Sequence, residues 1–452
     1  MYLVKDRGFY KNLLAIALPI AMQNTLNLSV SLISTLMLGQ LGSLQIAASS
    51  LANQPMFIFN LLTIGLAGGA SVLTAQYWGR KDRQRIRIIT ALVLKYAVLA
   101  SMLFALILGA FPTAIMKAFS NDPEVIVEGA KYLRITALAY PFLGMTNTSL
   151  AILRSVEKVW VSFWITLVTL GSTIFFNRIL IFGSGSFAAM GILGSAWAQV
   201  ISRILGFVFV IIYIFFFEKN IQLRPRSFLL HEDQLRIDVF KNATPVVINE
   251  FLWGFGASAQ AMVLGHMGKI ATTAHSISSS LLQLSMVFIY GITSAGGVII
   301  GKTLGAEDYD KIRPYIDTLK TLSMIIGVGI AFFILLVKTP FINLYNIDLD
   351  TKFATDAFMK VTAAIAMLQC LYSPLSLGVL RAGGDTKYVL FLDVFFLWTF
   401  GLPLGLAATK IWGLPPHLVY LCLKADEPIK VFLTRWRIRG TSWMRNLTIK
   451  EE

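Results

Sequence analysis

The sequence predicts an all-α, polytopic membrane protein of about twelve transmembrane helices, arranged as two six-helix halves of parallel topology. Three observations predict it. Of 452 residues, 56% are hydrophobic and 14% charged, and the mean hydropathy of +0.69 exceeds what a water-soluble core of this length requires. Near-continuous apolar runs such as 96–116, 205–217 and 322–337 recur along the chain. With their flanks they reach the roughly 18 residues of a spanning helix. An ungapped shift of 226 positions lays Pro19 on Pro245, Gly39 on Gly265, Gly42 on Gly268, Gly65 on Gly291 and Gly79 on Gly305.

The apolar runs place helices at about 12–36, 46–75, 88–112, 128–152, 160–182, 190–217, 239–263, 272–300, 318–342, 356–380, 388–410 and 415–434. The first is expected to be retained, because Lys5, Arg7 and Lys11 precede it and no small-residue cleavage pattern ends it. Alternate connections differ in charge, since cytoplasmic loops retain Lys and Arg. One side carries Arg80 to Arg87, Arg154 with Lys158, Lys219 to Lys241, Lys302 to Arg313, Arg381 with Lys387, and the Arg435 to Arg445 tail. The other side has only Lys117, Lys269, Lys338, Lys352 and Lys410. Both termini are therefore expected in the cytoplasm, with the chain in the cell (inner) membrane. The longest polar connection, a cytoplasmic linker at 218–238, separates an N-terminal lobe, 1–217, from a C-terminal lobe, 239–452.

The repeat runs on through Asp82 on Asp308 and Ile86 on Ile312, and a shift of 227 lays Ser149, Leu153 and Arg154 on Ser376, Leu380 and Arg381. Six helices return the chain to its starting side, so the copies are parallel repeats about an axis along the membrane normal, a design that usually encloses a central cavity. Glycine lets helices approach closely and proline loosens a helical ladder, both of use to a rocking bundle.

The formal charge of +15 sits in short clusters between apolar runs, without the aromatic platform of a nucleic-acid module. Cys370 and Cys422 lie inside apolar runs and the four His residues never group at ligand spacing, which speaks against a disulfide framework or a metal site. No Walker A, HExxH or Gly-x-Ser-x-Gly pattern is present, so nothing implies ATP hydrolysis or an enzyme.

A carboxylate within hydrocarbon costs about 2.5 to 3.5 kcal/mol on insertion scales, which makes an intramembrane acid a functional candidate. Two stand out. Glu250 lies nine residues past Lys241, roughly 13 Å into the seventh helix. Its desolvated carboxyl suits proton uptake, Na⁺ binding or exchange between them; the alternative is a helix–helix hydrogen bond. Asp393, six residues past Lys387 and about 9 Å into the eleventh helix, either shares that cation coupling or pairs with Lys387, Arg381 or another basic group at the cytoplasmic mouth. Gln23, Asn24, Gln54, Asn249, Trp253, Gln283, Tyr290 and Tyr372 are candidates for a substrate cavity wall, although each aromatic alternatively faces lipid or fills the bundle. An acid among aromatic faces suits lipophilic cations. Asn24, the counterpart of Glu250, cannot ionise, so the repeat is chemically asymmetric.

Several stretches together resemble the multidrug and toxic compound extrusion (MATE) transporters over nearly the whole chain. They are Pro19, Gly39 with Gly42, Gln76 to Gly79, NRILIFG at Asn177 to Gly183, GILGSAWAQVISR at Gly191 to Arg203, and LRAGGDTK at Leu380 to Lys387. The resemblance implies V-shaped six-helix lobes that export cationic or amphipathic compounds in exchange for Na⁺ or H⁺, with no other cofactor. Glu250 matches the seventh-helix acid of the norfloxacin-exporter branch. Cys370 stands where that branch has a tenth-helix acid, Gln23, Asn24 and Asn27 surround the place of a first-helix acid, and the turn from Leu153 to Lys158 lacks the glycines of its second copy.

The expected activity is thus a cation-coupled antiporter, monomeric, with small organic cations or drugs and the lipid bilayer as partners. The alternative is a flippase for lipid-linked saccharides or their precursors, which would need a strongly cationic cavity. Here the basic residues fall almost entirely in loops.

Overall fold

The computed structural model describes residues 3–183, 188–230, 232–345 and 347–449; His231, in the predicted linker, lies outside them. An apolar segment in lipid must satisfy its backbone polar groups internally, which selects the helix. The first six helical spans are Arg7–Gly39, Leu44–Gly79, Arg83–Ala110, a fourth in two pieces (Pro123–Thr136 and Tyr140–Ser155), Val159–Phe182 and Gly191–Phe217. The second six are Asp233–Gly265, Lys269–Gly305, Tyr309–Asn343, Leu349–Leu380, Thr386–Lys410 and a twelfth in two pieces, Pro416–Leu423 and Asp426–Arg439. Nine helices among the described residues are long and apolar enough to cross a membrane. The fourth and twelfth spans are interrupted, and the seventh opens with the charged turns of Asp233 to Lys241. The predicted all-α, multi-pass class is the observed one. Several spans overrun their apolar runs, the first reaching 7–39 rather than 12–36, because their polar ends stay helical.

The duplication is visible in the turns. Lys81 and Glu307, one repeat apart, close the second and eighth spans at φ 63° and 61°, and Glu157 and Gly384 close the fourth and tenth at φ 64° and 80°. The first-half turn has lost its glycine and kept the left-handed backbone that glycine suits. The glycines aligned by the repeat also mark close helix approaches. A Cβ on Gly79 would lie 1.9 Å from the Lys302 carbonyl oxygen, and one on Gly305 would lie 1.8 Å from that of Gln76. Similarly, Gly65 packs on the Val247 backbone and Gly291 on that of Ala17, where an added Cβ would meet atoms at 2.5 Å.

By contacts the chain forms two compact units, one of Met1–Ala21, Ala75–Lys81 and Ile248–Glu452, the other of Met22–Thr74 and Asp82–Val247. The divisions inside the first and seventh spans fall two residues beyond Pro19 and Pro245, at repeat-equivalent positions. The core of the second unit is built on Phe59, Tyr132 and Tyr140, with Phe59 and Tyr140 rings 5.0 Å apart. The first unit has separate clusters, around Ile289, Met359 and Cys370 and around Phe358, Tyr420 and Leu423.

The basic tail is docked within the first unit. Trp443 is fully buried, its Nε1 donating to the Ile438 and Gly440 carbonyls, and it packs so closely on Gly383 that a Cβ there would lie 2.4 Å from its ring. Asp385 accepts from Arg437 Nε at 2.7 Å, and Gln76 Nε2 donates to the Ala382 and Arg445 carbonyls at 2.9 and 3.1 Å. The LRAGGDTK turn between the tenth and eleventh spans therefore holds the tail.

Candidate functional site

Helix irregularities prepare the site. Asp393 sits in a π-helical stretch, Phe391–Phe395, of the eleventh span, and the tenth ends in another, Pro374–Leu380. Such wide turns free backbone and re-aim side chains. The twelfth span breaks at Lys424 and Ala425, and the Leu423 carbonyl accepts from Gln260 Nε2 of the seventh span at 2.9 Å.

Four spans of the first unit converge on Asp393. Tyr372 OH donates to its Oδ1 at 2.5 Å and Asn249 Nδ2 to its Oδ2 at 3.0 Å, while Lys430 Nζ stands 4.0 Å from Oδ1. Lys430 also binds Asp426 Oδ2 at 2.6 Å, and its ammonium lies 5.9 Å from the Tyr372 ring centre. Gln369 Nε2 donates to Glu427 Oε1 at 3.2 Å. Asp393, Asp426, Glu427 and Lys430 are all buried. Removing one partner of such a pair strands the other charge, at a cost of about 3 to 5 kcal/mol. The buried atoms Asn249 Oδ1, Asp426 Oδ1 and Glu427 Oε2 have no hydrogen-bond partner among the described residues.

Glu250, adjacent to Asn249, takes a different partner. Its Oε1 meets Arg381 Nη2 at 3.2 Å, with side-chain exposures of 17% and 13%. Of the two cationic partners considered for Asp393, Arg381 is thus committed to Glu250, and the ion-pair partner of Asp393 is Lys430. Cys370, at the place of the branch's tenth-helix acid, is buried with Sγ 3.7 Å from Met286 Sδ.

The remaining predicted residues divide between the units. In the second, Gln23 Nε2 donates to Thr166 Oγ1 at 2.6 Å, Asn24 is half-buried and Gln54 exposed. In the first, Trp253, Gln283 and Tyr290 are exposed, whereas Asn249 and Tyr372 are buried on Asp393. Sequence reasoning passed over Asp426, Glu427 and Lys430. Their signal was the run KADEPIK at 424–430, within the predicted twelfth helix. At i, i+4 spacing Asp426 and Lys430 read as a surface ion pair, the commonest use of that spacing.

The family model MatE matches twice, at residues 19–179 and 245–406, starting at the two prolines that the repeat superimposes. The chain belongs to the MatE family. It is a membrane transporter and not an enzyme. "Probable multidrug resistance protein YoeA" of Bacillus subtilis (strain 168) is 24% identical over 394 residues, 86% of this chain and 84% of that protein. "Probable multidrug resistance protein NorM" of Thermotoga maritima is 23% identical over 447 residues, 98% and 95% of the two chains. Among solved structures, a MOP superfamily transporter from Pyrococcus furiosus, whose binding pocket is described as of reverse polarity, superimposes with a TM-score of 0.88 at 15% identity, covering 98% of this chain and 100% of its own. The Vibrio cholerae MATE transporter VcmN does so with a TM-score of 0.88 at 16% identity, covering 97% and 99%. At these identities the structural likeness concerns the fold.

Proposed function

We propose that this MatE protein is a secondary active antiporter, exporting small cationic or amphipathic organic compounds in exchange for H⁺ or Na⁺ by alternating access across the cell membrane. Relatives named as multidrug resistance proteins support the substrate class. The observation that carries the coupling half is the buried Asp393, held by Tyr372, Asn249 and Lys430 from three other spans. A buried carboxylate whose partners come from several moving elements is costly to leave alone, so it exchanges one cation for another as those elements move. Glu250 would act in the same way by trading Arg381 for the coupling ion. Trp253, Gln283 and Tyr290, exposed in the first unit, would supply neutral and aromatic surface to the substrate, and Gln23, Asn24 and Gln54 are the candidates within the second unit taken by itself.

The test is efflux of a fluorescent organic cation from proteoliposomes under separately imposed proton and sodium gradients. One gradient is expected to drive the wild type, and Asp393→Asn or Glu250→Gln to lose about tenfold or more of the driven rate while remaining folded. A wild type driven by neither gradient would refute the antiport reading.

A further inference from the structure

The buried charges do not balance. Beside Lys430 stand three carboxyls, Asp393, Asp426 and Glu427. Lys430 serves two of them, at 2.6 Å from Asp426 and 4.0 Å from Asp393. Glu427 accepts only a neutral amide, that of Gln369, and its other oxygen is enclosed without a partner among the described residues. Half-buried Lys424, on the preceding turn, is near enough to act on Glu427 electrostatically. Even counting Lys424, three acids face two ammonium groups, so neutrality requires one further cation. An uncompensated ion in this setting costs several kcal/mol, more than a proton costs to hold. Among the described residues no group of three or more His, Cys, Asp or Glu side chains is placed to hold a metal ion. Two carboxyl oxygens are orphaned among the described residues, and since Asp426 is already paired with Lys430 through its other oxygen, that of Glu427 is the one suited to a proton.

We propose that Glu427 is the group that takes up the coupling proton, and that its ionisation draws Lys430 away from Asp393. This rests on the antiport reading and assigns its ion. Glu427 and Lys430 are three residues apart in one helix, hence one turn apart on the same face. While Glu427 holds its proton, Lys430 remains with Asp426 and Asp393. When the proton leaves, the new carboxylate competes for the ammonium, and Asp393 loses its cation. A cationic substrate can then take that place, and re-protonation of Glu427 returns Lys430 and expels it. The charged groups acting on Glu427 are Lys430, Asp426 and Lys424; the buried phenols of Tyr372 and Tyr420 and the phenol of Tyr290 lie near enough to feel its charge, while His275 faces Lys424 and the Tyr420 ring. Besides Lys430, Lys424 is the lysine or arginine among these groups.

The experiment uses the purified full chain and tetraphenylphosphonium as probe. Probe affinity in the wild type is expected to rise with pH, by at most about tenfold per pH unit for one linked proton, and to ignore sodium. Glu427→Gln, locked in the neutral form, should flatten this dependence and lose proton-driven efflux from liposomes. Glu427→Asp should retain the dependence with a displaced midpoint. Thermal melting and size exclusion report whether each variant folds; if the Gln variant does not, the displaced or unmoved midpoint of the Asp variant decides. Wild-type pH dependence preserved in Glu427→Gln, or an unmoved midpoint in Glu427→Asp, would overturn the assignment. So would efflux driven by sodium alone, which leaves the antiport reading intact; a wild type driven by neither ion removes both.

Discussion

At the scale of single residues, Glu157 shows what a duplicated gene can discard. Its repeat partner Gly384 occupies a left-handed turn at φ 80°, and Glu157 keeps that turn at φ 64° with a side chain attached. An L residue there pays about 1 to 2 kcal/mol that glycine does not, offset by roughly 0.5 to 1 kcal/mol of extra glycine entropy in the unfolded chain. Glu157→Gly is therefore expected to raise thermal stability modestly, by about 0.5 to 1 kcal/mol. Differential scanning fluorimetry in detergent measures it, and a lowered melting temperature would mean that contacts of the Glu157 side chain outweigh the backbone strain. Residue-level reading from sequence worked best where one feature acted alone. Asp393 was legible as an intramembrane acid, with Lys387 and Arg381 as the named candidates for its partner. Its cation was not, because Lys430 lies 37 positions away in sequence and reaches it only through the packing of the eleventh and twelfth spans.

At the scale of elements, apolar length found the spans and glycine matching found the close approaches, since both follow from the lipid environment. What escaped was irregular: the π-helical stretches around Asp393, the break at Lys424 and Ala425, and the docked tail. The tail carries many cations and reads as solvated, but it contains Trp443, and a large aromatic in a polar segment signals a burial site. Truncating a buried Trp to Ala typically costs about 3 to 5 kcal/mol. Trp443→Ala should accordingly lower the melting temperature and expose the tail to limited proteolysis between Gly440 and Ile449. A tail equally protected in the variant would show that the Asp385 ion pairs with Arg437 and Arg445, rather than the indole, hold it.

At the scale of the whole molecule, the two copies of the repeat have kept their turns and glycine contacts and divided their chemistry. Inside the second unit the ion pairs, Asp82 with Arg85, Arg85 with Glu232 and Glu128 with Lys131, are partly exposed, and neutral pairs such as Gln23 with Thr166, Asn60 with Asn147, Asn177 with Ser34 and Gln199 with Tyr132 join its spans. The first unit holds the more deeply buried ionised pairs, Glu250 with Arg381 and Lys430 with Asp426 and Asp393. If neutral pairs shape the substrate surface and charged pairs couple it to the ion gradient, perturbing each should move a different observable. Thr166→Val removes the acceptor of the Gln23 amide, a loss of about 1 kcal/mol, or roughly fivefold in an equilibrium constant. Its half-saturation for organic cations should shift by about that factor, in either direction according to how the freed amide meets each compound. Its pH dependence of transport should coincide with that of the wild type, because no group that exchanges a cation has been touched. A displaced pH profile in Thr166→Val would show that the neutral half takes part in coupling, and the division of labour between the copies would fall.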